Sequence, residues 1–130
     1  MPIDHRTAGT AGLAYLGDAV LELLVRERLV EAGYTSPKAL NAKALGFVRA
    51  AAQAAAMERL TPHLTEEEEG AFRRGRNIGH TNTPKSATVA EYRNATGMEA
   101  LFGYLHMMKN EARIAELFAI AYPEEVKDEN

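Results

Sequence analysis

Two carboxylates interrupt the most apolar stretches of this 130-residue chain. Asp18 lies in the stretch LAYLGDAVLELLV, and Glu99 is the only acid in ATGMEALFGYLHMMK. Oxygen ligands suit Mg²⁺, which keeps several waters and commonly takes only one or two protein carboxylates. If the two stretches are helices that cross, a shared divalent cation would neutralise both charges. The two acids therefore predict a metal site, with structural acids on two separate helices as the alternative.

The surroundings of Asp18 on a helical wheel predict that its carboxylate is at least partly desolvated. Apolar residues crowd both sides of the helix, a pattern typical of a central, buried helix. A buried carboxylate needs a cation, hydrogen-bond donors or a raised pKa, although a surface acid or a salt-bridged core acid stays open as an alternative. Glu22 has a simpler explanation, because Arg26 follows it in the favourable order for a helical ion pair. We interpret Glu22 as a structural acid that supports the site.

A second candidate site is the segment RRGRNIGHTNTPK, residues 73–85. Residues 73–93 carry a net charge of +4, whereas the whole chain carries −3, so cationic groups are concentrated here. Guanidinium, amide and hydroxyl groups contact the phosphate and ribose oxygens of nucleic acids. A solvated loop, preceded by arginines that balance the helix dipole, is the alternative. The candidate binding residues are Arg73, Arg74, Arg76, Asn77, His80 and Lys85.

Helical periodicity and capping signals predict the elements that must position these groups. No alternating stretch is long enough to predict a strand, so the expected fold class is all-α, in one domain over residues 1–130 with a polar tail over about 122–130. The expected capping residues are Gly33, Ser36, Thr65, Ser86 and Asn110. The expected helices cover residues 11–32, 37–60, 65–77, a short segment after residue 86, 93–109 and 110–121.

Composition excludes several kinds of site and location. The chain has no cysteine, so disulfides and thiolate metal sites are excluded. No apolar run reaches the ~20 residues that a membrane span requires, and no N-terminal stretch has the pattern of a secretory signal. We therefore expect a cytoplasmic protein without membrane association. The net charge of −3 argues against a generally basic surface for nucleic acid.

These motifs together resemble the catalytic domain of ribonuclease III. The stretch LAYLGDAVLELLVRERL is similar to the signature helix of that family, and MEALFGYLHMM is similar to its second motif. The stretches FVRAAAQA, RRGRN and EYRNATGMEAL resemble the Mini-III branch in particular, which lacks a domain for binding double-stranded RNA. The resemblance extends over about residues 12–108 and implies a ribonuclease III-type helical endonuclease fold.

The resemblance implies Mg²⁺ as the cofactor, with Mn²⁺ able to substitute, and Asp18 and Glu99 as its catalytic ligands. It also implies an endoribonuclease that cleaves double-stranded RNA and leaves 5′-phosphate and 3′-hydroxyl ends. The expected substrate is precursor 23S ribosomal RNA, which the basic segment would help to bind. A homodimer, in which each subunit cuts one strand, and a ribosomal protein are the expected partners.

Two positions depart from the larger ribonuclease III enzymes. Ala14 and Thr96 stand where those enzymes carry further acids, so a set of four acids is reduced to two. The Mini-III branch shares this reduction, which predicts weaker Mg²⁺ binding and leaves open whether one or two metals bind. The alternative function is a non-catalytic RNA-binding or ribosome-associated module with the same fold.

Overall fold

The computed structural model describes residues 9–78 and 87–124. Within those ranges the chain forms six α-helices and no strand, which confirms the all-α prediction. The helices are α1 (Thr10–Glu31), α2 (Pro37–Val48), α3 (Ala50–Leu60), α4 (Glu66–Arg76), α5 (Val89–Met107) and α6 (Glu111–Ala121), with a 3-10 turn at Thr61–His63 between α3 and α4. None of the described helices has the combination of length and apolar character that crossing a membrane requires.

Several helix ends form at the predicted capping residues. The Ser36 hydroxyl accepts a hydrogen bond from the Ala39 backbone N–H, in the first turn of α2, at 3.0 Å. Thr65 and Glu68 form both hydrogen bonds of a capping box at the start of α4. The Asn110 side-chain oxygen caps α6 by accepting one hydrogen bond, from the Arg113 backbone N–H. Gly33 has φ +96° just after α1, a conformation that favours glycine. Local side-chain chemistry therefore sets these boundaries.

The prediction of one continuous helix over residues 37–60 is wrong. Arg49 has an extended backbone, with φ −63° and ψ 145°, and separates α2 from α3. The Phe47 carbonyl, left without a helical partner by this break, accepts a hydrogen bond from the Tyr122 hydroxyl at 2.8 Å. The break lets α2 pack against α1 while α3 turns to pack against α5 and α6. Tertiary packing thus divides a segment whose helix propensity is high except at Gly46, Phe47 and Val48, directly before the break.

The predicted boundary near residue 93 is also wrong, because α5 begins four residues earlier. Thr88 and Glu91 form a second capping box, with both hydrogen bonds present. This pattern of threonine followed three residues later by glutamate is a local start signal that the sequence analysis passed over. The proposed cap Ser86 lies outside the described residues. The helix that carries Glu99 is therefore longer and begins at its own cap.

The centre of the fold is α5, not α1 as predicted. Met98, Leu101 and Phe102 on α5 are completely buried, and each such side chain stabilises the fold by roughly 1.5–3 kcal/mol. Helices α1 and α4 pack against α5 more extensively than any other pair of elements. In contrast, α1 buries only one face, and its opposite face leaves Tyr15 85% and Leu23 57% exposed. Helix α1 therefore carries more apolar side chains than it buries in the core of this chain.

Candidate active site

Helices α1 and α5 touch backbone to backbone where two glycines face each other. A Cβ atom added to Gly17 would lie 1.6 Å from the Glu99 carbonyl oxygen, and one added to Gly103 would lie 1.9 Å from the Leu13 carbonyl oxygen. No larger residue fits such an approach, so only glycine allows the crossing. Asp18 directly follows Gly17, and Glu99 precedes Gly103 by about one helical turn. The crossing therefore brings the two acids from distant parts of the chain together.

The two carboxylates interact, and they occupy different environments. Asp18 is exposed, whereas Glu99 is mostly buried. Burial, followed by the negative charge of Asp18 and a hydrogen bond between the two side chains, raises the pKa of Glu99 to about 8. The predicted desolvation of the Asp18 carboxylate is therefore wrong, and the desolvated carboxylate is that of Glu99. Asp18 lies at the edge of the buried face of α1. Glu99 is less exposed because its own helix, α5, lies at the centre of the fold.

The chemistry of this acid pair suits a divalent cation. Within residues 9–78 and 87–124, neither carboxylate has a lysine or arginine partner, and no cluster of three or more acidic, histidine or cysteine side chains forms. A carboxylate buried beside a second carboxylate is costly without a cation. Mg²⁺ accepts such a small oxygen ligand set and completes it with water, and the exposed side of Asp18 leaves room for water.

The two positions at which the larger enzymes carry acids add no ligand here. Ala14 and Thr96 are each only 8% exposed. The Thr96 hydroxyl donates a hydrogen bond to the Tyr92 carbonyl oxygen at 3.0 Å, so it satisfies the backbone of its own helix. Ala14 has no polar group to offer. The described residues therefore supply a site of two carboxylates.

Glu22 forms the ion pair that its spacing predicts. Its carboxylate lies 3.9 Å from the Arg26 guanidinium, and the two side chains are 50% and 74% exposed, respectively. A pair this long and this exposed contributes less than about 0.5 kcal/mol to stability. No interaction between Glu22 and either acid of the pair is present among the described residues.

Four of the six predicted phosphate-binding residues lie at the C-terminal end of α4. Arg73, Arg74 and Arg76 are exposed in its last turns, and Asn77 caps it. We call this group the basic end of α4. The other two candidates, His80 and Lys85, lie outside the described residues.

A second pair of glycines fixes the basic end of α4 against α5. A Cβ atom added to Gly75 would lie 2.9 Å from the Gly97 Cα atom, and one added to Gly97 would lie 2.6 Å from the Phe72 ring. Gly97 is two residues before Glu99, so one rigid helix positions both the cationic group and the acid pair. This second crossing was not predicted from the sequence, although glycines within helical segments were the available signal.

Comparison with protein families agrees with this arrangement. A family model described as the ribonuclease III domain matches residues 11–110, a range that contains the acid pair and the basic end of α4. The chain belongs to the ribonuclease III domain family. The prediction that it is a family endoribonuclease is therefore confirmed.

Within that family, the most similar proteins indicate one branch. Mini-ribonuclease 3 of Symbiobacterium thermophilum is 50% identical over 109 residues, which cover 84% of each chain. Mini-ribonuclease 3 of Enterococcus faecalis is 42% identical over 116 residues, or 88% of each chain. The crystal structure of a protein from Fusobacterium nucleatum matches with a TM-score of 0.79 and 34% identity, over 88% of this chain and 92% of that one. The expected similarity to the Mini-III branch and the expected fold are confirmed.

Proposed function

We propose that this protein is an Mg²⁺-dependent endoribonuclease that cleaves double-stranded RNA, with Asp18 and Glu99 as the metal ligands. The observation that carries the proposal is the convergence of these two carboxylates on a glycine-mediated helix crossing, where no described residue gives them a cationic partner. Held by Asp18 and Glu99, Mg²⁺ would supply an activated water and would neutralise charge on the scissile phosphate. Hydrolysis that breaks the bond between phosphorus and the 3′ oxygen would leave 5′-phosphate and 3′-hydroxyl ends.

The residues of this chain have distinct tasks in that reaction. Asp18 and Glu99 hold and orient the cation, and below about pH 8 Glu99 must release a proton to do so. The basic end of α4 binds phosphates of the RNA, because an A-form duplex is recognised mainly by its shape, phosphates and 2′-hydroxyls. His80 and Lys85 extend this contact in the proposal. Binding through phosphates predicts an affinity that falls steeply with salt concentration.

We propose a homodimer as the active assembly, in which each subunit cuts one strand. Tyr15, Leu23 and Val30 lie on one face of α1 and are 85%, 57% and 65% exposed, respectively. Exposed apolar groups that share a face commonly mark an association surface. Asp18 borders this face, so a partner on it would bring two acid pairs near each other. Sedimentation velocity of the purified protein measures the mass of the assembly, and a monomer at micromolar concentration would contradict the dimer.

The family resemblance supports more specific proposals for the substrate, the partner and the cellular location. We propose precursor 23S ribosomal RNA as the substrate, a ribosomal protein as a partner that presents it, and the cytoplasm as the location. In this proposal Mn²⁺ can replace Mg²⁺, since both are hard cations with oxygen ligands.

Incubation of purified protein with duplex RNA, in Mg²⁺ or in EDTA, tests the proposal directly. We expect cleavage in Mg²⁺, none in EDTA, and product ends that a 5′-phosphate-dependent exonuclease digests. Retention of the duplex without cleavage in either condition would overturn it in favour of the non-catalytic RNA-binding or ribosome-associated module. Cleavage that persists in EDTA would contradict the metal requirement.

A further inference from the structure

A cavity of about 270 Å³ lies between α3, α4 and α5, beside the basic end of α4. Its apolar lining includes Met57, Leu64 and the half-buried ring of Phe72. Drug-sized ligands occupy pockets of roughly 300–1,000 Å³, so this cavity suits one ring system rather than a whole nucleotide. An aromatic and aliphatic lining of this kind favours a flat, partly apolar group.

The rim of the cavity carries polar side chains of both signs. Glu58 and Asn94 line it, and within the described residues neither side chain has a hydrogen bond or an ion pair. Glu69 and Arg73 form only a long, exposed ion pair of 3.9 Å, and the Arg76 guanidinium lies 5.6 Å from the centroid of the Phe72 ring. The rim therefore offers carboxylate acceptors next to guanidinium donors. A group that presents both hydrogen-bond donors and acceptors matches this rim better than a bare phosphate, which has acceptors only at its charged oxygens.

We propose that this cavity binds a single unstacked guanine base of RNA. This inference rests on the proposed function, which brings RNA to the protein. Guanine presents N–H donors on its Watson–Crick edge and the acceptors O6 and N7 on its other edge. Carboxylates accept from the first edge and arginines donate to the second, in charge-assisted hydrogen bonds. Adenine, cytosine and uracil each lack part of this pattern. Bases splayed from a bulge or loop commonly stack on aromatic and arginine side chains.

The position of the cavity allows one RNA molecule to reach it and the acid pair together. Asn94 and Glu99 are five residues apart on α5, which is roughly 7.5 Å along the helix axis. The two groups point to different sides of α5, whose diameter is about 10 Å. A base bound in the cavity would therefore fix the register of the RNA relative to the scissile phosphate.

Titration with guanosine 5′-monophosphate tests the cavity without any requirement for nuclease activity. We expect saturable NMR shifts of the Asn94 side-chain amide, at concentrations about tenfold lower than with adenosine 5′-monophosphate, since a good bidentate contact discriminates by about that factor. Glu58→Gln should remove the preference, whereas Glu67→Gln, an exposed residue outside the cavity with the same change in charge, should retain it. Absent shifts, or equal shifts with both nucleotides, would overturn the proposal.

A second measurement uses three RNA hairpins: a plain duplex, one with a bulged guanosine and one with a bulged adenosine. We expect the wild type to bind the guanosine bulge about tenfold more tightly than the adenosine bulge. Glu58→Gln should bind both bulges equally and cleave the plain duplex at the wild-type rate. Equal affinity of the wild type for both bulges, with intact cleavage, would overturn the guanine site alone. Failure to cleave any RNA would overturn the proposed function, while the nucleotide titration still decides the guanine site.

Discussion

Two carboxylates, the buried Glu68 and the partly buried Glu99, show opposite solutions to the same physical problem. Glu68 accepts two hydrogen bonds of 2.8 Å from Arg113 and a third from the Thr65 backbone N–H, and these partners lower its pKa. Glu99 faces Asp18 instead, and burial together with that like charge raises its pKa to about 8. The compensated acid joins α4 to α6, whereas Glu99 has no lysine or arginine partner among the described residues. An acid whose pKa is raised beside a like charge is a candidate functional residue, and this contrast marks Glu99 as the candidate more clearly than burial alone.

Removal of either acid of the uncompensated pair should produce the largest effect on activity. Because metal assistance is worth several kcal/mol, Asp18→Asn and Glu99→Gln should each lower the cleavage rate of duplex RNA by about 10³-fold or more. Affinity for the duplex, measured by gel shift in EDTA, should stay within about twofold, since the phosphate contacts remain. A variant that cuts at the wild-type rate would remove that residue from the site.

Removal of the partner of the compensated acid should produce the largest effect on stability. Arg113→Ala leaves Glu68 buried without its cation, and it also removes the 2.7 Å hydrogen bond to the His63 carbonyl oxygen. The free energy of unfolding, measured in urea, should fall by about 3–5 kcal/mol. Arg26→Ala removes only an exposed ion pair and should cost less than about 0.5 kcal/mol. Equal losses for both variants would show that Arg113 contributes no more than a surface arginine.

Widening of the α1–α5 crossing should affect stability and activity together. Gly103→Ala places a Cβ atom 1.9 Å from the Leu13 carbonyl oxygen, so the helices must separate, at a cost of about 1–3 kcal/mol in unfolding free energy. Cleavage should fall as well, because the acids move apart. The matched control is Gly46→Ala in α2, where an added Cβ atom meets nothing within 4 Å. This substitution should stabilise the helix by about 0.5–1 kcal/mol. Wild-type stability in Gly103→Ala would contradict the close crossing.

The raised pKa of Glu99 predicts a smaller, pH-dependent effect on the metal-free protein. The folded state holds a proton on Glu99 from its ordinary pKa of 4.5 up to about 8, whereas the unfolded chain releases it. The free energy of unfolding therefore falls as pH rises through this window and levels off above it. The amide of Glu99→Gln has no proton to release, so this variant lacks the loss of stability. It should be more stable than wild type by at least about 1 kcal/mol at pH 8. Urea titrations in EDTA at several pH values measure the difference, and a difference that does not grow with pH would refute the raised pKa.

The smallest effect is expected from Arg76, an arginine with no acidic partner among the described residues. Its guanidinium lies 5.6 Å from the centroid of the Phe72 ring, whereas Arg113 pairs with Glu68. Arg76→Ala should weaken duplex binding severalfold and reduce the slope of log affinity against log salt by about 1. Unchanged affinity and slope in a salt titration would exclude Arg76 from the RNA-binding surface.

The part of the structure that the sequence could predict is local. Both capping residues Ser36 and Thr65 act on backbone groups within three residues of themselves, so their patterns are sufficient evidence for helix starts. The candidate acids were identified because they interrupt apolar stretches, and family motifs then assigned their roles. The RNA-binding role of all six residues of the predicted segment remains a prediction, and two of them, His80 and Lys85, also lie outside the described residues.

The part that could not be predicted depends on contacts between distant segments. The break at Arg49 follows from packing of α2 and α3 on different helices, which no local signal specifies. Asp18 was expected to be the desolvated acid, but Asp18 is exposed and Glu99 is partly buried. The difference arises because α5, rather than α1, is the central helix. The partnership of Glu68 with Arg113 joins residues 45 positions apart, and a capping box alone does not indicate it.

The glycine contact between α1 and α5 gives the acid pair an unusual mechanical property. Most helix pairs are separated by a layer of side chains that can change rotamer and absorb small movements. Here the backbones themselves abut at Gly17 and Gly103, so no soft layer lies between the elements that carry the two carboxylates. A tilt or slide of one helix would therefore change the distance between the backbones that carry the two acids directly. Only the rotamers of the Asp18 and Glu99 side chains are left to adjust the distance between the carboxylates.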